Sequence, residues 1–320
     1  MASKRILALA VGDPKASRVL GKDPDLKGVR PYITGLIKGL TRLGHQIGAD
    51  YEIDYRQHWY EHIVEGHAFR EHANAPPDLI YAMSTTVMRA AGKHGGGIPI
   101  VFPNCSDHDA EPYVQQGRAT GYSARRSQTA DVCFEHFLET VPTLRQVHLL
   151  HAGGYDPSEL SVNLINACRD NRHKNVNVDV LEIKNHTELR TELAKLPERN
   201  LQQPAETGVL VLPVDIFFGT APIIIDLVQV QKNLPTFWFV SDWVKPELPS
   251  ALGGFGVAQE RCGKRTARPV YQILWLNPKG SPLPKVIDAP DHDFEWAVSG
   301  AAAAALKTPL ADIGGHPSVI

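Results

Sequence analysis

The sequence predicts an α/β protein built as two lobes, each a parallel sheet covered by helices. Three observations lead there. Apolar strand-like runs alternate with amphipathic helical stretches almost throughout the chain. The strands are nearly continuous in apolar residues, as in sheets buried on both faces. The alternation then restarts near Gly121, as if the first half were repeated. A length of 320 residues agrees, since it fits two domains of about 150 residues each.

The first strand is residues 6–11. A helix over residues 31–43 follows, where Ile33, Leu36, Ile37, Leu40 and Leu43 share one face; Pro31 sits at its start and Gly44 ends it. "DYEIDYR" alternates as a strand, and residues 58–73 are expected to form one helix. "DLIYAMSTTVMRAAGKHGGGIPIVF", residues 78–102, reads as strand, hydroxyl-rich turn, helix, glycine turn and strand. In the second half "QVHLLHA", "VNVDVLEI", "GVLVLPV" and "PTFWFVS" are strands. The helices between them are expected over residues 158–171, 188–196 and 222–232, and residues 198–208 form a polar surface loop. The last quarter breaks the rhythm with a glycine-interrupted strand "ALGGFGVA" and a helix over residues 260–276. A proline-rich crossing, the strand "FEWAVS", a helix over residues 300–306 and a loosely held tail complete the chain.

A chain that returns to its first lobe and crosses again has this rhythm. The expected lobes are residues 1–120 plus about 246–280, and residues 121–245 plus about 281–310. Lobes joined by several strands make a hinge, with a ligand expected between them.

Composition limits the partners. The formal net charge is -2, with Lys and Arg spread along the chain, which argues against nucleic acid or an anionic membrane surface. No run approaches the ~18 apolar residues of a membrane span. The basic, apolar N-terminus is too short for a secretory leader and has no cleavage site, so it reads as a strand. The four cysteines, Cys105, Cys133, Cys168 and Cys262, lack metal-ligand spacing and read as buried free thiols. "CSDHDAEP" sets Asp107, His108 and Asp109 side by side on an expected extended loop, where neighbours point apart, and no second His/Cys pair completes a metal site. No GxSxG, P-loop, HExxH or GxGxxG signature is present, so neither an enzyme nor a cofactor is supported.

Ligands of open parallel sheets bind beyond the carboxyl ends of the strands, where helix N-termini point. The post-strand turns there are residues 12–13, 84–86, 104–107, 153–155, 213–215 and 241–242, Asn104 and Ser241 among them. The ligand candidates are Asp13, Ser84, Thr85, Thr86, Ser106, Asp107, Gly154, Tyr155, Asp215 and Asp242, with Tyr122 at the expected first crossing. Hydroxyls at a helix start suit a carboxylate and an Asp suits an ammonium, so together they suit an amino acid or similar zwitterion. Each also has a plain structural reading, because any α/β protein caps its helices with such residues. Arg125 and Arg126 have the same two readings, an anion contact or a surface pair.

These segments carry a resemblance. "GLIKGLTRLGHQIGADYEIDYR" looks like the helix–turn–strand of ABC-transporter substrate-binding proteins of the tryptophan/tyrosine type, with Gly39, Leu40, Leu43, Gly44, Gly48, Tyr55 and Arg56 on the pattern. "PDLIYAMSTTVMRAAGKHGGGIPIVF", "ATGYS", "GVLVLPVD", "PTFWFVSDWV", "ALGGFGVAQERCGKRTA" and "FEWAVSGAAAAALKTPL" continue it in order. The resemblance implies a type I periplasmic-binding fold, capture of a small metabolite by hinge closure, and an ABC permease as partner. It implies a periplasmic or cell-surface location, against a cytoplasmic one if the chain is complete. Where that family often has Gly-Thr, this chain has Ser84-Thr85-Thr86, and "PNCSDHDAEP" is bulkier and more acidic than usual. The rival readings are a cytoplasmic ligand sensor of the same fold and an α/β enzyme using the same cleft.

Overall fold

The computed structural model describes residues 3–27, 29–105, 107–123, 126–152, 176–212, 215–277, 281–310 and 318–320. The chain divides into two compact units, Met1–Arg125 with Gln259–Ala289, and Arg126–Ala258 with Pro290–Ile320. Along the first stretch run β1 (Lys4–Val11), β2 (Arg18–Leu20), α1 (Pro31–Arg42), β3 (Tyr51–His58), α2 (Tyr60–Val64) and α3 (His67–Arg70). Then come β4 (Leu79–Ala82), α4 (Thr85–His94), β5 (Ile100–Phe102), α5 (Asp107–Gln115) and β6 (Ala119–Ser123). The second unit opens with α6 (Arg126–Thr140), β7 (Gln146–Ala152), β8 (Asn177–Ile183), α7 (His186–Lys195), β9 (Thr207–Val211) and α8 (Asp215–Ile224), and continues with β10 (Thr236–Trp238) and β11 (Gly253–Val257). Helix α9 (Gln259–Tyr271) and β12 (Ile287–Asp288) return to the first unit. β13 (Phe294–Val298), α10 (Gly300–Ala305) and β14 (Ser318–Val319) complete the second.

Each unit holds a seven-stranded sheet. The orders are β12-β6-β5-β4-β1-β3-β2 and β14-β13-β11-β10-β9-β7-β8. Five strands of each unit, β1, β3, β4, β5 and β6 in the first and β7 to β11 in the second, are parallel and, counted in chain order, lie as second-first-third-fourth-fifth. The sheets are mixed rather than wholly parallel, because β2 runs against β3 and β13 runs against β11. Together these features make the two-lobe α/β architecture of type I periplasmic-binding proteins.

Burial on both faces explains the apolar strands. Along β9, Val209 and Val211 pack with Phe217 and Ile224 on one face, while Leu210 packs with Phe137 and Phe237 on the other. In the first unit Leu7, Leu9, Ile80 and Phe102 pack under Val87, Met88 and Ala91 of α4. Helix α1 begins on Pro31 and lies against α9, where Gly35 and Gly39 face the backbone of Glu260 and Lys264, and Gly263 faces that of Tyr32. Leu43 caps α1, and Gly44 beyond it takes the left-handed conformation with φ 90°.

Several expectations are corrected. Residues 58–73 are not one helix: β3 runs through His58, and Gly66, with φ 78°, breaks the remainder into α2 and α3. The Asp107–Asp109 segment is not extended but opens α5, which carries Pro112 inside it. The helix expected over residues 222–232 starts earlier, at Asp215, and passes into a π-helical segment, Ile225–Val230. That segment is fixed by Gln229, whose Oε1 accepts from Thr236 N, Thr236 Oγ1 and Leu252 N at 3.3, 3.0 and 3.0 Å. Of the tail expected over residues 311–320, Ser318–Val319 are paired with Ala297–Val298, while residues 311–317 lie outside the described residues. The helix expected over residues 158–171 lies outside the described residues. Cys105, Cys133 and Cys262 are buried and in no disulfide, and Cys168 also lies outside the described residues.

Candidate functional site

In an order of this kind the connections from the first and third strands leave toward opposite faces of the sheet, which opens a crevice at their carboxyl ends. In the first unit that point falls between β1 and β4, whose register places Leu9 beside Ala82. In the second it falls between β7 and β9, with Leu150 beside Val211. The turns there are those the sequence pointed to. Asp13 follows β1, Ser84 follows β4, Gly154 and Tyr155 follow β7 outside the described residues, and Asp215 opens α8 after β9.

Ser84 is the N-cap of α4. Its backbone is extended, φ -166° and ψ 166°, and its hydroxyl accepts the Val87 N–H at 3.2 Å. Such a cap contributes about 1 kcal/mol. Thr85 and Thr86 begin the helix half-buried. The Cys105 thiol, after β5, donates to Thr85 Oγ1 at 3.4 Å and ties the two turns together. Asp13 is exposed and caps the short turn Pro14–Ala16 by accepting the Lys15 N–H at 3.0 Å. Tyr122 is wholly buried within β6. Asp107 opens α5, Asp242 is half-buried in the turn Ser241–Trp243 after β10, and Ser106 lies outside the described residues.

The structure gives new weight to residues that the sequence placed after strands, Asn104 and Ser241, and to Asp109, which it weighed only as a metal ligand. Asn104, after β5, is 3% exposed and its Oδ1 is buried with no hydrogen-bond partner. Asp109, in the first turn of α5, forms an ion pair with Arg89 of α4 through Oδ1, while its Oδ2 is buried with no partner. In the equivalent turn of the second unit, after β10, the Trp243 indole N–H is buried without an acceptor, and Ser241 donates to Glu295 Oε2 at 3.2 Å. No spacing signals these residues, because an unmet hydrogen bond is a property of packed surroundings.

A second buried charge group lies in β3, away from the strand ends. Asp54 accepts from Arg56 Nε at 2.6 Å and Arg5 Nη2 at 3.1 Å, with His72 Nδ1 3.8 Å away. Burial, ahead of the opposing pull of Asp54, lowers the His72 pKa below the ordinary histidine value. Among the described residues no group of three His, Cys, Asp or Glu side chains could hold a metal ion, and no helix is long and apolar enough to cross a membrane.

Comparison of the sequence with protein families and with curated proteins finds no match. Solved structures do match over nearly the whole chain. A conserved domain protein from Vibrio cholerae superposes with TM-score 0.73 at 17% identity, covering 99% of each chain. An ABC domain from Streptococcus pneumonia, solved in complex with L-Trp, gives TM-score 0.71 at 13% identity and covers 100% of each. A ligand-free, open substrate-binding protein with adhesive properties from Clostridium difficile gives 0.58 at 17% identity, with 99% of each covered. At these identities the likeness establishes the fold.

Proposed function

We propose that this chain is the substrate-binding component of an ABC importer, holding a small metabolite reversibly at the switch-point turns of its two lobes. The observation that carries the reading is the repeated strand order, with a capped helix start at the carboxyl edge of each sheet, Ser84 before α4 and Asn185 before α7. Full-length likeness to an L-Trp-bound ABC domain and to a substrate-binding protein supports it. The mechanism involves no bond making. Ligand binding shifts an open–closed equilibrium by its differential affinity for the two states, and a permease reads closure. In this reading Ser84, Thr85 and Thr86 serve twice: one hydroxyl caps α4 while its neighbours and the first amides meet an anionic group of the ligand. Tyr155, Asp215 and Asp242 supply the second lobe's contacts, and the protein works in the periplasm or at the cell surface. The ligand class is an amino acid or a related aromatic or polar acid.

The test is a thermal-shift and calorimetric screen of L-amino acids, aromatic acids including indole-3-propionate, sugars, polyols and nucleosides. A ligand that binds only the folded form raises the midpoint, and it should be recovered unchanged. Turnover of the bound compound, or no shift with any panel member, would sink the proposal. A Thr85→Ala variant that keeps the full shift removes that turn from the site.

A further inference from the structure

We infer that the turn after β5 recognises a hydrogen-bond-donating group of the ligand, an ammonium or a hydroxyl, through the Asn104 carboxamide oxygen, with Asp109 Oδ2 as a second acceptor. This rests on the binding role proposed above and gives the first lobe a stated chemical preference.

Two buried atoms carry it. Asn104 is 3% exposed and Asp109 7%, yet Asn104 Oδ1 and Asp109 Oδ2 are buried from solvent without a hydrogen-bond partner. Native proteins leave few buried polar atoms unmet, because removing one from water without replacing its hydrogen bond is costly. Both atoms are acceptors, and among the described residues from 83 to 110 no buried side-chain donor is left unmet. The need there has one sign, so what completes it must donate.

The location agrees with a ligand contact. Asn104 follows β5 at the carboxyl edge of the sheet. Its neighbour Cys105 reaches Thr85 at the head of α4, so the unmet acceptor belongs to the pair of turns that includes the Ser84 cap. Asp109 is fixed from the other side by its ion pair with Arg89. That pair occupies one carboxylate oxygen and holds the other in place. A ligand with an ammonium or hydroxyl beside an anionic group could donate to Asn104 and direct its anionic end to the amides of α4.

The experiment uses the full chain and the variants Asn104→Leu and Asn104→Asp. Midpoints are measured without ligand, and affinities by calorimetry for L-tryptophan, for indole-3-propionate, which lacks the amine, and for ribitol. Leu keeps the shape and removes the acceptor, while Asp keeps an acceptor and removes the amide donor. The ligand-free midpoint of Asn104→Leu should equal or exceed that of the wild type. Its affinity for the probe the wild type binds should fall about ten- to hundredfold. Asn104→Asp should keep that affinity within about threefold. Binding of L-tryptophan but not indole-3-propionate identifies the donor as the amine, and binding of ribitol identifies it as a hydroxyl. A drop of several degrees in the ligand-free Asn104→Leu midpoint would show that the oxygen has a partner inside the fold, and would overturn the inference. So would unchanged probe affinity in Asn104→Leu, or an equal loss in Asn104→Asp. In those cases the binding role itself survives; if the wild type binds no member of the whole panel, that role falls and this inference with it.

Discussion

At the scale of single residues, histidine burial makes a statement about pH. His58, His72, His148 and His151 are all held below the ordinary histidine range, with desolvation the leading cause at each. At His72 the flanking charges are mixed: Asp54 and Glu71 pull its pKa up, and Arg5 and Arg56 push it down. A histidine with a depressed folded pKa binds its proton more readily once unfolded. The unfolded state therefore gains as pH falls below about 6.5. Glu260 acts in the same direction, because its hydrogen bond from Lys264, ahead of the one from Lys38, holds its pKa low. The stability this gives is lost as pH drops through the acid range. The melting midpoint should thus be highest at neutral pH and above and fall between pH 7 and 5. A His72→Gln, His148→Gln double variant should show a shallower fall. A profile flat across that range would contradict the assignment.

Among the elements, α1 and α9 pack with their backbones in close approach. Gly35, Gly39 and Gly263 let two helix backbones approach where a Cβ would overlap main-chain atoms of the facing helix. Glycine inside a helix lowers its intrinsic stability by roughly 1 kcal/mol relative to alanine, so the close packing must offset that cost. Gly263→Ala should therefore destabilise rather than stabilise, by about 1–3 kcal/mol, since the helices must move apart. Gly21→Ala is the control, because a Cβ there meets nothing within 4 Å and should leave the midpoint nearly unchanged. Equal midpoints for both variants would refute the packing argument. The π-helical segment after α8 is fixed in a different way, by a buried carboxamide. Gln229 accepts three hydrogen bonds and donates to Ser250 O, joining the segment to β10 and to the turn before β11.

At the scale of the whole molecule, neither unit is one continuous stretch of chain. The first needs Gln259–Ala289, which supplies α9, and the second needs Pro290–Ile320, which supplies β13 and β14. A chain ended after Ala258 would strip α9 from α1 and leave β11 with an open edge. Such a chain should lose its cooperative thermal transition and become sensitive to limited proteolysis in both halves. A protease-resistant first half with a sharp transition would show that the returning segment is dispensable.

The sequence alone determined the alternation of strands and helices along the chain and the helix-covered sheets it implies. Strand runs such as "DLIYAM" and "GVLVLPV" are apolar because both faces of each sheet are covered, and covered faces leave a record in composition. The Ser84 cap was readable for a similar local reason, since a hydroxyl at a strand end before an amphipathic run has few other uses. Gly66 as a helix break and Asp107 as a helix start were not readable, because both compete with good local alternatives that long-range packing decides. The antiparallel return of β13 depends on pairing with β11, between residues 37 to 45 positions apart in the chain. The unmet acceptors of Asn104 and Asp109 belong wholly to the tertiary structure. Either residue could be solvated in a loop, and only their burial, with Arg89 holding one carboxylate oxygen and nothing meeting the other, turns them into a requirement for a ligand.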